Sequence, residues 1–310
     1  MIISIFKRVR KKLLEDSILE KVKRLIPEFR GRSVTLKRIP KGITNNNFKL
    51  IVDGKVFFVS TPGTDSKLLN IDFNNKYYNN KICESIGLSP KIIHCIKTEE
   101  LLVTEFISSK KPLSTSLRSY KRLAELIGMI KILHGSKPFY RNFNMFNYIY
   151  HFIDILKKEK LPELIIPILN RMDVLSQKLA PYRENLVPCH NDFVPGNIIN
   201  NENQLFLVDF DYSGNNDPCF ELGNLAVEMD YDYNQVNELV KSYYGQVQED
   251  KISRLYLQGI VSDIGWSLWG YVQSKVSRLN YDFKSYAISR LERAISKMDS
   301  TDYALWLKNI

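Results

Sequence analysis

The sequence predicts an α+β chain of two lobes, a small antiparallel sheet followed by a larger, mainly helical body. Short β-type runs separated by turn signals fill residues 33–105, and near 106–110 the pattern changes to long segments with apolar residues at helical spacing. The length of 310 residues is enough for two separate cores. With 44% hydrophobic and 25% charged residues, the composition is that of a globular chain and excludes a disordered or fibrous one. The regions expected are a basic amphipathic helix over 1–30, an N-lobe over 31–107 and a C-lobe over 108–310.

The first element carries KRVRKK at 7–12, with Ile2, Ile5, Phe6, Val9, Leu13 and Leu14 at helical spacing. Such a helix can rest weakly on anionic lipid or pack, solvated on its outer face, against the body of the protein. Its short apolar run precedes the charges, the reverse of a secretion signal. Cys83, Cys95, Cys189 and Cys219 are far apart without a CxxC pair, so they read as free thiols of a reducing, cytoplasmic setting. The formal charge of +10 invites a nucleic-acid reading, but no base-reading or base-stacking fold is recognisable and none is expected as a partner. Asparagine runs at 45–47, 74–75 and 79–80 read as compositional bias.

Strands are expected at Ser33–Arg38, Asn47–Val52 and Val56–Val59, the last two joined by the Asp53–Gly54 turn. A helix over 70–86 closed by Gly87 separates them from strands at Lys91–Ile96 and Leu101–Glu105. The C-lobe opens with helices at 115–134, 143–158 and 161–179. A polar stretch, His190–Asn201, leads into an apolar strand, Leu205–Phe210, and helices dominate from Glu221.

The most informative stretch is HNDFVPGNIIN at 190–200, followed by LFLVDFDYSGNNDP at 205–218. A hairpin-like connection would bring Asp192, Asn197 and Asp209 to one end of adjacent strands, with Asp211 two residues on. Phosphoryl transfer needs such a set: one carboxylate to orient a hydroxyl and take its proton, and a carboxylate with an amide oxygen to hold magnesium. Further on, Trp266 and Trp269 in GWSLWGYVQ share one helix face. With Tyr233 and Glu228 they are either core residues or an aromatic box for an ammonium group.

These segments resemble the choline/ethanolamine kinases, within the wider group of aminoglycoside phosphotransferases. HNDFVPGNII resembles that family's His-Asn-Asp…Gly-Asn loop, and VDFDYSGNNDPCFELGN its metal-binding segment. The resemblance implies a bilobal, protein-kinase-like fold and a kinase that uses ATP and Mg2+ on choline, with ethanolamine or another small amino alcohol as the alternative. It implies Asp192 as the catalytic aspartate, Asn197 and Asp209 as magnesium ligands, Asp211 as a further ligand or orienting acid, and His190 as a support of the loop. Trp266, Trp269, Glu228 and Tyr233 match the family's W-x-L-W segment and its Glu followed five residues later by Tyr, and would bind the substrate beside Asp192. In GITNNNFKL, Gly42, Thr44 and Asn45 would cover the phosphates, while Glu105 and Ile107 at the hinge would meet the adenine.

The N-lobe departs from the family at one pair. Ser60 stands where a basic residue is usual, Lys76 falls at the place of its glutamate partner, and Phe73 at the place of an arginine. Lys67 or Lys76 would then have to supply the missing charge. Without it, the implied alternative is a catalytically impaired nucleotide- or choline-binding protein.

Overall fold

A computed structural model describes residues 2–39, 42, 44–63, 65–109, 119–157, 163–183, 185–201 and 204–310, with side chains of the first helix described from Lys12 onward. Helix α1 (Ile2–Leu25) carries the basic segment. The lipid-facing positions Ile2, Ile5, Phe6 and Val9 fall where side chains are not described. In its second half Ile18 and Val22, with Ile26 and Phe29 just beyond, are buried against Val34, Phe48 and Leu50 of the sheet. Among the described residues no helix is long and apolar enough to cross a membrane.

The N-lobe sheet has the order β1 (Val34–Arg38), β2 (Asn45–Val52), β3 (Lys55–Pro62), β5 (Leu101–Glu105), β4 (Ile92–Ile96), antiparallel throughout. Asp53 and Gly54 have φ of 46° and 83°, the left-handed pair that an Asp-Gly hairpin turn requires. Helix α2 (Phe73–Ser85) starts at Asp72, whose carboxylate accepts the N–H groups of Asn74 and Asn75. Its buried residues are largely polar, Asn75, Lys76, Asn79 and Asn80, so this helix turns a hydrogen-bonding face inward. The reading of the asparagine runs as mere bias is therefore corrected.

The C-lobe holds α3 (Tyr120–His134), α4 (Met145–Lys157), α5 (Leu169–Leu179), α6 (Pro218–Glu228), α7 (Tyr233–Tyr244), α8 (Glu249–Val276), α9 (Phe283–Met298) and α10 (Asp302–Asn309). The first residues of the helices expected at 115 and 161, and the last of the one ending at 158, lie outside the described residues. Helix α8 is the axis of the lobe; nearly all of Ile252–Gln273 is buried because α4, α6 and α9 cover different sides of it.

Between α5 and α6 lie two short pairs that the polar sequence concealed: β6 (Val187–Cys189) with β9 (Gly214–Asn216), and β7 (Ile198–Asn200) with β8 (Leu205–Leu207). The strand expected to run to Phe210 stops at Leu207, and Asp209 takes a left-handed φ of 68° that no strand accommodates.

Gly223 of α6 marks the closest approach of two helices. A Cβ there would stand 2.6 Å from the Leu255 carbonyl oxygen and 2.8 Å from the Gly259 nitrogen of α8. Gly223→Ala is expected to destabilise the protein by ~1–3 kcal/mol, the range for overpacking a filled core. Gly128→Ala in α3, where the added carbon meets nothing within 4 Å, should instead raise stability by up to ~1 kcal/mol through helix propensity. Thermal unfolding followed by circular dichroism compares the two, and a Gly223 variant as stable as the parent would contradict the close approach.

Candidate active site

The loop after β6 is held through its backbone. Glu221 of α6, fully buried, accepts the N–H of His190 at 2.9 Å and of Asn191 at 2.6 Å. Three residues further along the helix, Asn224 accepts the N–H of Phe193 at 2.7 Å. Asn191 has a φ of 65°, a conformation asparagine tolerates better than most residues, and its amide donates to the Tyr212 carbonyl at 3.0 Å. Glu221 is steadied in turn by His134, 3.3 Å away, whose other ring nitrogen meets the Tyr243 hydroxyl at 2.6 Å. His134, Cys189 and Glu221 lie close enough to share a metal, but the carboxylate is already committed to the loop.

Asp192 is the next residue and points into the cleft between the lobes. Asn197 donates to its carboxylate at 2.9 Å and to its carbonyl at 3.0 Å. Giving its amide nitrogen to Asp192 leaves the Asn197 carbonyl oxygen as the acceptor for anything else in the cleft. His190 is buried with Nε2 3.0 Å from the Val208 carbonyl, edge-on to Phe193 and Phe210. Burial pushes its pKa down, so the ring is neutral and structural at physiological pH.

On the opposite wall the 209–211 segment meets the N-lobe. Asn45 of β2 donates to Asp211 at 2.7 Å and to Asp209 at 3.2 Å. The Lys76 ammonium lies 2.7 Å from the other Asp211 oxygen, 3.8 Å from Asp209 and 3.5 Å from the Ser60 hydroxyl. Both oxygens of Asp211 are thus engaged by the chain itself, and Asn45 is turned toward the acids. Asn75 and Asn79 fasten α2 to the same segment through the Ser213 carbonyl, at 2.8 and 3.2 Å. Lys67, the other expected cation, is exposed in a turn away from the cleft.

One cavity of about 630 Å³ connects these groups. Gly42, Thr44, Glu105 and Ile107 line it from the sheet and hinge and Glu228, Trp266 and Trp269 from the C-lobe helices. Lys76, Asn197, Asp209 and Asp192 also face it, Asp192 within the influence of both Asp209, which Asn45 of β2 reaches, and Glu228. The Glu105 N–H is spent on the Lys91 carbonyl at 2.8 Å. Trp266 and Trp269 stand nearly perpendicular, 6.3 Å between centroids, and serve both as core residues and as cleft wall.

Tyr233 does not join them. Asp230 turns the chain with a φ of 52° after α6, and Asp232 caps α7, so the five-residue spacing carries Tyr233 to the surface, 59% exposed. The tyrosines of this wall are Tyr212, edge-on to Trp266, with Tyr281 and Tyr286, accompanied by Arg290. Arg290 pairs with Glu228, lies 3.2 Å from Asp263 and has its guanidinium 4.7 Å from the centre of the Tyr286 ring. The only trace of this group in the sequence is the four-residue spacing of Tyr286 and Arg290 on one helix face.

Burial and neighbouring acids raise the pKa of Asp192 and of Asp209. Burial, then the charges of Glu228 and Asp209, lift Asp192 to about 8, against the pull of Arg290 and Asn197. Burial and Asp211 lift Asp209, with Lys76 opposing. Carboxylates crowded in this way are suited to a hard divalent cation. The oxygen donors of Asn197 and Asp209 fit magnesium, and Asp211 stands behind them.

A model of the choline/ethanolamine kinase family matches residues 37–258. Protein LicA of Haemophilus influenzae is 26% identical over 275 residues, covering 83% of this chain and 78% of its own. Ethanolamine kinase 2 of Rattus norvegicus is 26% identical over 319 residues, covering 90% and 81%. A choline/ethanolamine kinase family protein from Mesorhizobium loti superposes with a TM-score of 0.79 at 26% identity, over 95% of this chain and 98% of its own. An aminoglycoside 2'-phosphotransferase-IIIa, at 13% identity and a TM-score of 0.64 over 92% and 98%, shares the protein-kinase-like fold.

The raised pKa of Asp192 has a stability consequence. Unfolded, an aspartate ionises near ~3.9. Folded, it resists ionisation up to about 8, so stability is lost as the pH rises from the first value through the second. Without metal or nucleotide, Asp192→Asn should therefore melt higher than the parent at pH 8, by at least ~2–4 °C, the shift that roughly 1 kcal/mol gives in a large domain. The gap should close toward pH 4. Calorimetry at both pH values in a chelator reads this, and a gap independent of pH would refute the assignment.

Proposed function

The chain belongs to the choline/ethanolamine kinase family of small-molecule kinases, and from that premise we propose that it phosphorylates the hydroxyl of choline with ATP. The observation that carries this reading is the cavity that Asp192 shares with Gly42, Thr44 and the hinge and with Trp266, Trp269 and Tyr281. A quaternary ammonium donates no hydrogen bond and is held by ring faces. Glu228 is already engaged by Arg290, which leaves the tryptophan wall richer in ring surface than in free acceptors. Ethanolamine is the second reading, favoured by the similarity to ethanolamine kinases; its primary ammonium would seek directed acceptors.

In the proposed reaction the adenine lies at the hinge, against the Glu105 carbonyl and the Ile107 backbone. Gly42 and Thr44 cover the phosphates. Asp192 orients the choline hydroxyl and takes its proton as the oxygen bonds to the γ-phosphorus and the bond to the β-phosphate oxygen breaks, so that phosphocholine and ADP leave. Asn197 and Asp209 hold magnesium, which when bound offsets charge on the phosphates. The similarity to a LicA structure in complex with AMP supports nucleotide binding as part of this reading.

The decisive measurement is a competition of choline, ethanolamine and an aminoglycoside with ATP and magnesium, products identified by mass. Phosphocholine should dominate, and phosphoethanolamine as the main product would move the assignment to the second reading. Asp192→Ala should lose at least ~10³-fold in turnover while remaining folded, within the range for a positioned acid–base group and its neighbours. Trp266→Ala should raise the KM for choline at least ~10-fold, as expected for losing a desolvated cation–π contact with its apolar surface. An unchanged KM would remove the ring cradle.

A further inference from the structure

We propose that Lys76 of helix α2 is the cation that binds the phosphates of the nucleotide, with Asp211 as the residue that positions it. The proposal rests on the kinase reading above and deepens it, because it delivers the charge from a helix to a place that strand β3 leaves vacant at Ser60.

The Lys76 side chain is 7% exposed, and an ammonium so buried is kept only where charge or hydrogen bonds hold it. Its Nζ lies where α2, β3 and the 209–211 segment cross, within reach of Ser60, Asp209 and Asp211. It also lines the cavity that Gly42, Thr44 and Asp192 share. A polyphosphate stretched from the hinge to Asp192 passes this point. Among the described residues, the other strong base on the cavity wall, Arg290, is committed to Glu228 and Asp263.

Ser60 is what makes room. It faces Leu102 and Asn47 across the sheet, and its short side chain lets the ammonium arrive from the helix. The acid pair explains why Lys76 stays in place without a ligand. Asp211 is fixed on one oxygen by Asn45 and gives the other to Lys76, so it acts as a holder more than as a free metal ligand. A divalent cation at Asp209 would repel the ammonium across a few ångströms. The phosphates that arrive with the metal remove this conflict by giving Lys76 a second, more strongly charged partner. Four rotatable carbons let the ammonium shift toward them without moving α2.

The test compares Mg·ATP with adenosine, binding of each to the full chain measured by calorimetric titration. In Lys76→Met the affinity for Mg·ATP should fall at least tenfold while that for adenosine stays within twofold. Lys76→Met/Asp211→Asn removes both charges at nearly constant shape, so it guards against misfolding from an unpaired buried acid, and should give the same selective loss. Adding Ser60→Lys to Lys76→Met should restore most of the Mg·ATP affinity, because the new side chain reaches the same place from β3. Unchanged Mg·ATP affinity in the double variant would overturn the proposal, as would equal losses for both ligands, which mark a merely structural lysine. A parent protein that binds neither ligand would refute the kinase reading itself, and the proposal with it.

Discussion

The buried carboxylate of Glu221 accepts two successive backbone N–H groups, those of His190 and Asn191, and the position of Asp192 follows from that contact. A carboxylate taken out of water is costly unless charged hydrogen bonds replace its hydration, and here the replacement comes from the loop itself. Glu221, Asn224 and Glu228 recur at spacings that share one face of α6. The first two fix the loop and the third reaches the cleft. Helix α6 is in turn pressed on α8 at Gly223, so the loop, the tryptophans of α8 and the acid of the cradle are referred to one rigid pair of helices.

Much of this was legible in the sequence where periodicity and turn chemistry act locally. The Asp53–Gly54 turn, the strands β2 and β3 that it joins and the apolar face of α3 depend on near neighbours, and they formed as expected. The 190–197 loop and the acids at 209 and 211 were legible because polar residues of that kind beside apolar runs need a reason. What escaped depends on partners far away in sequence. The asparagines of α2 look like surface residues until Ser213 is brought beneath them. Tyr281, in the bend before α9, and Tyr286 and Arg290 on that helix are ordinary residues until α9 folds back on α8. Tyr233 was misplaced because spacing gives no account of a reversal such as the one at Asp230.

The charge of the chain and the charge of the cleft have opposite tendencies. The whole carries +10, yet Asp192, Asp209 and Glu228 face the cavity against Lys76 and Arg290. Acids held together in this way repel one another, and a bound cation relieves that repulsion. The folded chain tolerates the strain because Lys76 stands beside Asp209 and Asp211, and Arg290 beside Glu228 and Asp263.

Helix α2 lies within the N-lobe in sequence, but not all of its attachments are there. Asn75 and Asn79 hold the Ser213 segment, Asn79 also accepts the Tyr140 N–H, and Cys83 and Leu88 belong to the apolar cluster of α3 and α6. Helix α2 is thus fastened both to the sheet, through β4 and Ser60, and to the segment that carries Asp209 and Asp211. A base carried on strand β3 would be placed by the sheet alone, whereas one carried on α2 is placed by the same Ser213 segment that follows the acids of the floor.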